Sequence, residues 1–120
     1  MIRVLVVHDT LYEAKKIEHY ITSFYGACNV MLCVDAEKNE IMDIVENAGK
    51  EIDLCFTKIK MRSVSGIQIA KKLRSVNARV KIVFVSDTDE YALDAWRLGI
   101  NDYLLEPITI EKIHKSIKNI

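Results

Sequence analysis

Short, mostly apolar runs alternate five times with longer segments whose apolar residues recur every three or four positions. No other feature of the chain limits its fold as tightly. Val4–Val7, Val30–Val34, Leu54–Thr57, Val80–Val85 and Tyr103–Leu105 are the runs and read as strands, the fully apolar Val4–Val7 as a buried one. Leu11, Ala14, Ile17, Ile21 and Phe24 lie on one helical face, which Gly26 stops. Ile41, Ile44, Val45 and Ala48 form a second, stopped by Gly49, and Ile67, Ala70, Leu73 and Val76 a third. Tyr91, Ala92, Ala95, Trp96 and Leu98 predict a fourth helix ending at Gly99. Ile110, Ile113, Ile117 and Ile120 form the last stripe, with Thr109 as its N-cap.

Five strand–helix pairs imply an α/β domain, a parallel sheet with helices on both faces. Right-handed crossovers leave few topologies. The 120 residues are one domain's worth. At 13.8 kDa the folded surface should be about 6,600 Å², enough burial for a core without metal or disulfides. Ligands of such sheets sit beyond the carboxyl ends of the strands. Those ends fall near His8–Asp9, Asp35, Thr57–Lys58, Ser86–Asp87 and Glu106–Pro107.

Composition excludes several classes. Seventeen basic and seventeen acidic residues cancel, so the chain carries no electrostatic footprint for a nucleic-acid backbone. Half the residues are hydrophobic, which argues against disorder. No apolar run approaches the ~18 residues of a membrane span. The run from Ile2 to Val7 is cut short by His8 and Asp9 and is no signal peptide, so the expected location is the cytoplasm. Cys28, Cys33 and Cys55 are odd in number and lack a CxxC spacing, which predicts free thiols, buried in the case of Cys33 and Cys55.

Four ordered segments carry a family resemblance: VLVVHD at 4–9, DLCFTKIKMRSVSG at 53–66, FVS at 84–86 and EYALDAWRLGINDYLLEP at 90–107. The chain resembles a bacterial response-regulator receiver domain along its whole length. The last segment is similar to receivers of the LytTR class, which carry a DNA-binding domain downstream. The resemblance implies a CheY-like, flavodoxin-like doubly wound (βα)5 sandwich with five parallel strands in the order 2-1-3-4-5. It implies a two-component signalling role. In an active receiver, an acidic pair after the first strand and an acceptor aspartate after the third hold Mg²⁺. A Ser or Thr and a Lys contact the phosphoryl oxygens, and catalysis is positioning and charge neutralisation.

Matched residue by residue, the chain departs from that pattern at its centre. Lys58 stands at the acceptor position, His8 at the first acidic position beside Asp9, and Glu106 at the lysine position. Arg62 and Ser63 stand where the family's Met-Pro-Gly loop has Pro and Gly, while Asp9, Ser86, Tyr103 and Pro107 remain. A lysine cannot form an acyl phosphate. Mg²⁺ prefers hard oxygen ligands, and an ammonium 4 Å away repels it by about 8 kcal/mol at an effective dielectric constant of 20. Loss of both Mg²⁺ and aspartyl phosphorylation is therefore expected, leaving no cofactor. Asp53 opens the third strand ~15 Å from the pocket, at ~3.3 Å per residue, and cannot substitute.

The acid–base pair of the family is present with its signs exchanged, so Lys58 is expected to bridge to Glu106, to Asp9, or to both. His8 is expected at a polar strand-end rim, a pH-sensing role being the alternative. His19 and His114 are expected in solvent. A Schiff-base or general-base role for Lys58 lacks a substrate pocket, and Ser86 lacks a base for nucleophilic catalysis. The resemblance makes Ser86 and Tyr103 a switch-like pair and the Glu106–Pro107 bond cis, an isomer otherwise found in ~5–6% of X–Pro bonds. It also makes the fourth helix, fifth strand and fifth helix a dimerisation face, with Trp96 as its anchor or, equally, as core. The expected function is a non-enzymatic, phosphorylation-independent signalling and dimerisation module of a transcriptional regulator, touching DNA only through a C-terminal effector domain absent from this chain. A stand-alone adaptor that binds proteins and a small-molecule sensor on the same fold are the rival readings.

Overall fold

The computed structural model describes residues 1–120. Five strands, β1 (Arg3–His8), β2 (Asn29–Val34), β3 (Leu54–Lys58), β4 (Lys81–Ser86) and β5 (Asp102–Leu105), alternate with α1 (Leu11–Tyr25), α2 (Lys38–Ala48), α3 (Gly66–Val76), α4 (Ala92–Arg97) and α5 (Ile110–Asn119). The sheet is wholly parallel in the order β2-β1-β3-β4-β5. This is the flavodoxin-like architecture expected. The exposed surface is 6558 Å², close to the expectation from mass.

Alternation along each strand sorts the core into two layers, because successive side chains point to opposite faces. Val4, Val6, Leu54, Phe56, Val83 and Val85 pack under α1 and α5, against Ala14, Ile17, Ile21, Ile113 and Ile117. Leu5, Val7, Cys55, Ile82 and Phe84 pack under α2 and α3, against Ile41, Val45, Ile69, Ala70 and Leu73. Most of the stripe residues read from the sequence lie on these contact faces, while Leu11 and Phe24 at the ends of α1 and Ala92 on α4 are exposed.

The helix ends follow local chemistry. Thr10 and Thr109 cap α1 and α5 through their side-chain oxygens, and Ser65 with Gln68 forms a capping box on α3. Gly26 ends α1 at a positive φ of 75°. Three strands run one residue further than the apolar runs, to His8, Lys58 and Ser86, since ladder pairing continues past the last apolar side chain. That extension places all three polar groups on strand ends.

Three further side chains depart from the sequence reading. Trp96 is 82% exposed, which removes the core alternative. The helix carrying it has only six residues and buries Ala95 alone. His114 is half-buried, not solvated. Its Nε2 lies 2.9 Å from Ser23 Oγ and 3.1 Å from the Tyr20 carbonyl, and its ring meets Phe24 edge-on, tying α5 to α1. His8 is buried and is described below. His19 is exposed, as expected.

The cysteines are free, with Cys33 and Cys55 buried. Burial raises both thiol pKa values, with Glu40 adding to the effect at Cys33 and Cys33 adding to it at Cys55. Both thiols are thereby held as inert core groups.

Candidate functional site

The carboxyl ends of β1, β3, β4 and β5 gather five polar side chains. β1 ends on His8, followed by Asp9, and β3 ends on Lys58. β4 ends on Ser86, whose carbonyl accepts the amide of Glu106 at 2.8 Å and so seats the chain just past β5. The Val85 carbonyl likewise accepts the Ile59 amide at 3.0 Å. Parallel register therefore brings together residues nearly fifty positions apart in each direction.

Lys58 lies between two acids. Its Nζ is 3.4 and 3.5 Å from the two Asp9 oxygens and 3.8 Å from Glu106 Oε1. The side chains are 17%, 30% and 18% exposed for Lys58, Asp9 and Glu106, so water screens the group only partly. Of the bridges the exchanged signs allow, Lys58 makes both, with Asp9 the nearer.

His8 is 1% exposed, which corrects its expected place on the rim. Neighbouring strands flank β1 on both sides, and carboxylate oxygens of Glu13 of α1 and of Glu106 come within 4.8 Å of a ring nitrogen. Nδ1 faces the amides of Asp9 and Thr10 at 3.0 and 3.2 Å and Asp9 Oδ1 at 2.9 Å. It accepts the amides when unprotonated and donates to the carboxylate when protonated, never both. Nε2 has no hydrogen-bond partner, although Glu106 Oε2 stands 3.5 Å away.

The other predicted residues sit around this cluster. Ser86 is buried, and its Oγ accepts the Thr88 amide at 3.2 Å. Tyr103 is half-buried, and its hydroxyl donates to the Thr88 carbonyl at 2.6 Å. Ser86 and Tyr103 thus meet on one residue, Thr88, rather than on each other. The Glu106–Pro107 bond is cis. Asp53 binds the Arg3 amide at 2.9 Å at the amino edge of the sheet, away from the pocket. Arg62 reaches outward to Asp35 at 3.3 Å and Glu37 at 3.0 Å. Ser63 donates to the Ala36 carbonyl at 2.8 Å. Glu13 is the participant the sequence reading missed. Its place on the first turn of α1 was legible, but its approach to His8 depends on how α1 docks on the sheet.

Several known proteins resemble this chain. It is 28% identical over 120 residues to the sensory transduction protein LytT of Bacillus subtilis, a match covering 98% of this chain and 47% of that protein. The chain spans about half the length of the curated relatives it matches. Among solved structures, a response regulator receiver protein from Pseudomonas putida is 29% identical with a TM-score of 0.81, covering 99% of this chain and 97% of that one. The response regulatory domain of mrkE from Klebsiella pneumoniae shares the fold, with a TM-score of 0.84 at 20% identity, covering 98% and 93%. No helix is long and apolar enough to cross a membrane. The family model of the response regulator receiver domain matches residues 4–118, nearly the whole of the five-stranded fold that carries this pocket, and the chain belongs to that family.

Proposed function

We propose that this receiver works without phosphorylation, as a signalling and dimerisation module of a cytoplasmic two-component-type regulator. The observation that carries the reading is Lys58 at the end of β3, held between Asp9 and Glu106. An amine cannot carry an acyl phosphate. Its charge sits 3.4 Å from the one acid left of the expected pair, so Mg²⁺ with its demand for hard oxygen ligands does not fit there. Glu106 presents a negative charge where a phosphoryl group would need a cation. The internal ion pairs take the place of ligand and hold the pocket in one arrangement.

The output side rests on a separate observation. Leu93, Trp96 and Leu105, on α4 and β5, are 59%, 82% and 43% exposed. An exposed tryptophan beside apolar neighbours is suited to anchor a protein contact, which supports a homodimer through the α4-β5-α5 face. Contact with DNA belongs to an effector domain of the kind that LytTR-class regulators carry. The module itself has no enzymatic role in this reading.

Two measurements test it. Incubation with acetyl phosphate and Mg²⁺ is expected to leave the mass unchanged, and Mg²⁺ with beryllofluoride to leave Trp96 fluorescence unchanged; a covalent adduct or a Mg²⁺-dependent signal overturns the reading. Lys58→Ala leaves two carboxylates facing each other in a partly dry pocket. It is expected to cost about 1–3 kcal/mol, between the values for exposed and buried pairs, and to lower Tm by about 3–10 °C. An unchanged Tm rules out the lock.

A further inference from the structure

The orphaned face of His8 points to a ligand. Nε2 is a polar atom with no hydrogen-bond partner in a side chain 1% exposed. A buried polar group left alone costs about 1–3 kcal/mol, so a ligand that completes it is favoured at this atom. A ring nitrogen of His8 and one oxygen each of Glu13 and Glu106 all fall within 4.8 Å of one another, and Glu106 Oε2 stands on the Nε2 side. Glu106 divides its work: Oε1 faces Lys58, and Oε2 faces His8 at 3.5 Å.

We propose that His8 Nε2, Glu13 and Glu106 form a three-ligand site for a borderline divalent transition metal of the Zn²⁺ class, with Asp9 as the positioning carboxylate on His8 Nδ1. Ligands about 2.0–2.2 Å from one tetrahedral ion stand roughly 3.3–3.5 Å apart. The His8–Glu106 separation already matches, and rotation of the two glutamate side chains closes the rest. An imidazole with two carboxylates suits Zn²⁺ and its neighbours and is a poor set for Mg²⁺. Asp9 Oδ1, 2.9 Å from Nδ1, supplies the carboxylate–histidine–metal relay that places the ring proton on Nδ1 and frees the Nε2 lone pair. Lys58 repels any divalent ion here, and the carboxylates oppose that repulsion: those of Asp9, Glu13 and Glu106 outnumber the ammonium groups of Lys58 and Lys16 that pair with them. Three protein ligands leave a fourth position open to water or a partner's side chain. The competing occupant is a proton on Nε2, with Nδ1 then accepting the Asp9 and Thr10 amides. The site does not depend on the phosphorylation-independent reading, and its test reads metal uptake rather than phosphoryl transfer.

The test is calorimetric titration of the 120-residue chain with Zn²⁺, repeated with Co²⁺ for its visible d–d bands. Cys28→Ser serves as background, to remove the partly exposed thiol. One Zn²⁺ per chain is expected, unaffected by excess Mg²⁺. Glu13→Gln and Glu106→Gln should each weaken binding about tenfold or more, and His8→Gln should abolish it. Asp9→Asn should weaken it about 10- to 100-fold while leaving the Co²⁺ band positions in place. Glu13 lies on the rim, so its variant folds even if the His8 variant does not. Absence of stoichiometric uptake, or uptake that survives both glutamate substitutions, overturns the site.

Discussion

A triple variant, His8→Asp, Lys58→Asp and Glu106→Lys, gains about 80 Da, one phosphoryl group, from acetyl phosphate in the presence of Mg²⁺ and none in EDTA. The unmodified chain gains none under either condition. The expectation follows from how little else separates the pocket from a working one. Ser86 is already buried at the end of β4 with its hydroxyl proton uncommitted. The Glu106 amide is already fixed by the Ser86 carbonyl, so a lysine there starts from the correct backbone. An aspartate at position 8 accepts the Asp9 and Thr10 amides that His8 Nδ1 faces now. The three exchanges convert an internally ion-paired cluster into one with three acids for a divalent cation and one amine for the phosphoryl oxygens. Intact-mass spectrometry reads the result directly. A triple variant that folds by circular dichroism yet stays unmodified would show that Arg62 and Ser63, not the charge exchange, close the site.

Gly66→Ala is expected to destabilise the fold by about 3 kcal/mol or more and to lower Tm by roughly 10 °C or more. Gly66 begins α3 directly against the end of β3, and its amide donates to the Ile59 carbonyl at 2.8 Å. A Cβ at this position would press into the Lys58 carbonyl oxygen, well inside contact distance, and would stand 3.0 Å from Ile59 Cα. Both neighbours are backbone in a buried strand end, so no side chain can swing aside. The strand end that would have to move carries Lys58, so the substitution disturbs the ion-pair cluster together with the fold. By contrast, a Cβ on Gly26 meets nothing, and the cost there is confined to its positive φ. Thermal melting of the two alanine variants separates steric from conformational demand. A Gly66→Ala melt no lower than that of Gly26→Ala contradicts this account.

The architecture was open to reading because it is written many times over. The Ile110–Ile113–Ile117 stripe, the Thr109 cap and the Gly26 stop each state a local preference, and all agree with one parallel sheet. The membership of the pocket was legible too, since strand ends in such a sheet converge whatever their residues. Its internal chemistry was not. Asp9 and Glu106 both offered Lys58 a partner, and only the placed backbones rank them, at 3.4 and 3.8 Å. Trp96 looked equally suited to core or surface until the placement of α4 turned the adjacent Ala95 inward and left Trp96 outside.

His8 marks the boundary between the two kinds of information. Residue order alone establishes that an imidazole stands at the end of β1, beside one aspartate and opposite a lysine. It establishes the fold, the layers and the exchange of charge between positions 58 and 106. Burial of that imidazole, the approach of Glu13, and the unpartnered Nε2 come from three-dimensional packing. Hydrophobic periodicity is local and redundant, so a single chain suffices to read it. Which polar atoms meet depends on side chains from four distant segments arriving within a few ångströms, and no local pattern encodes such distances.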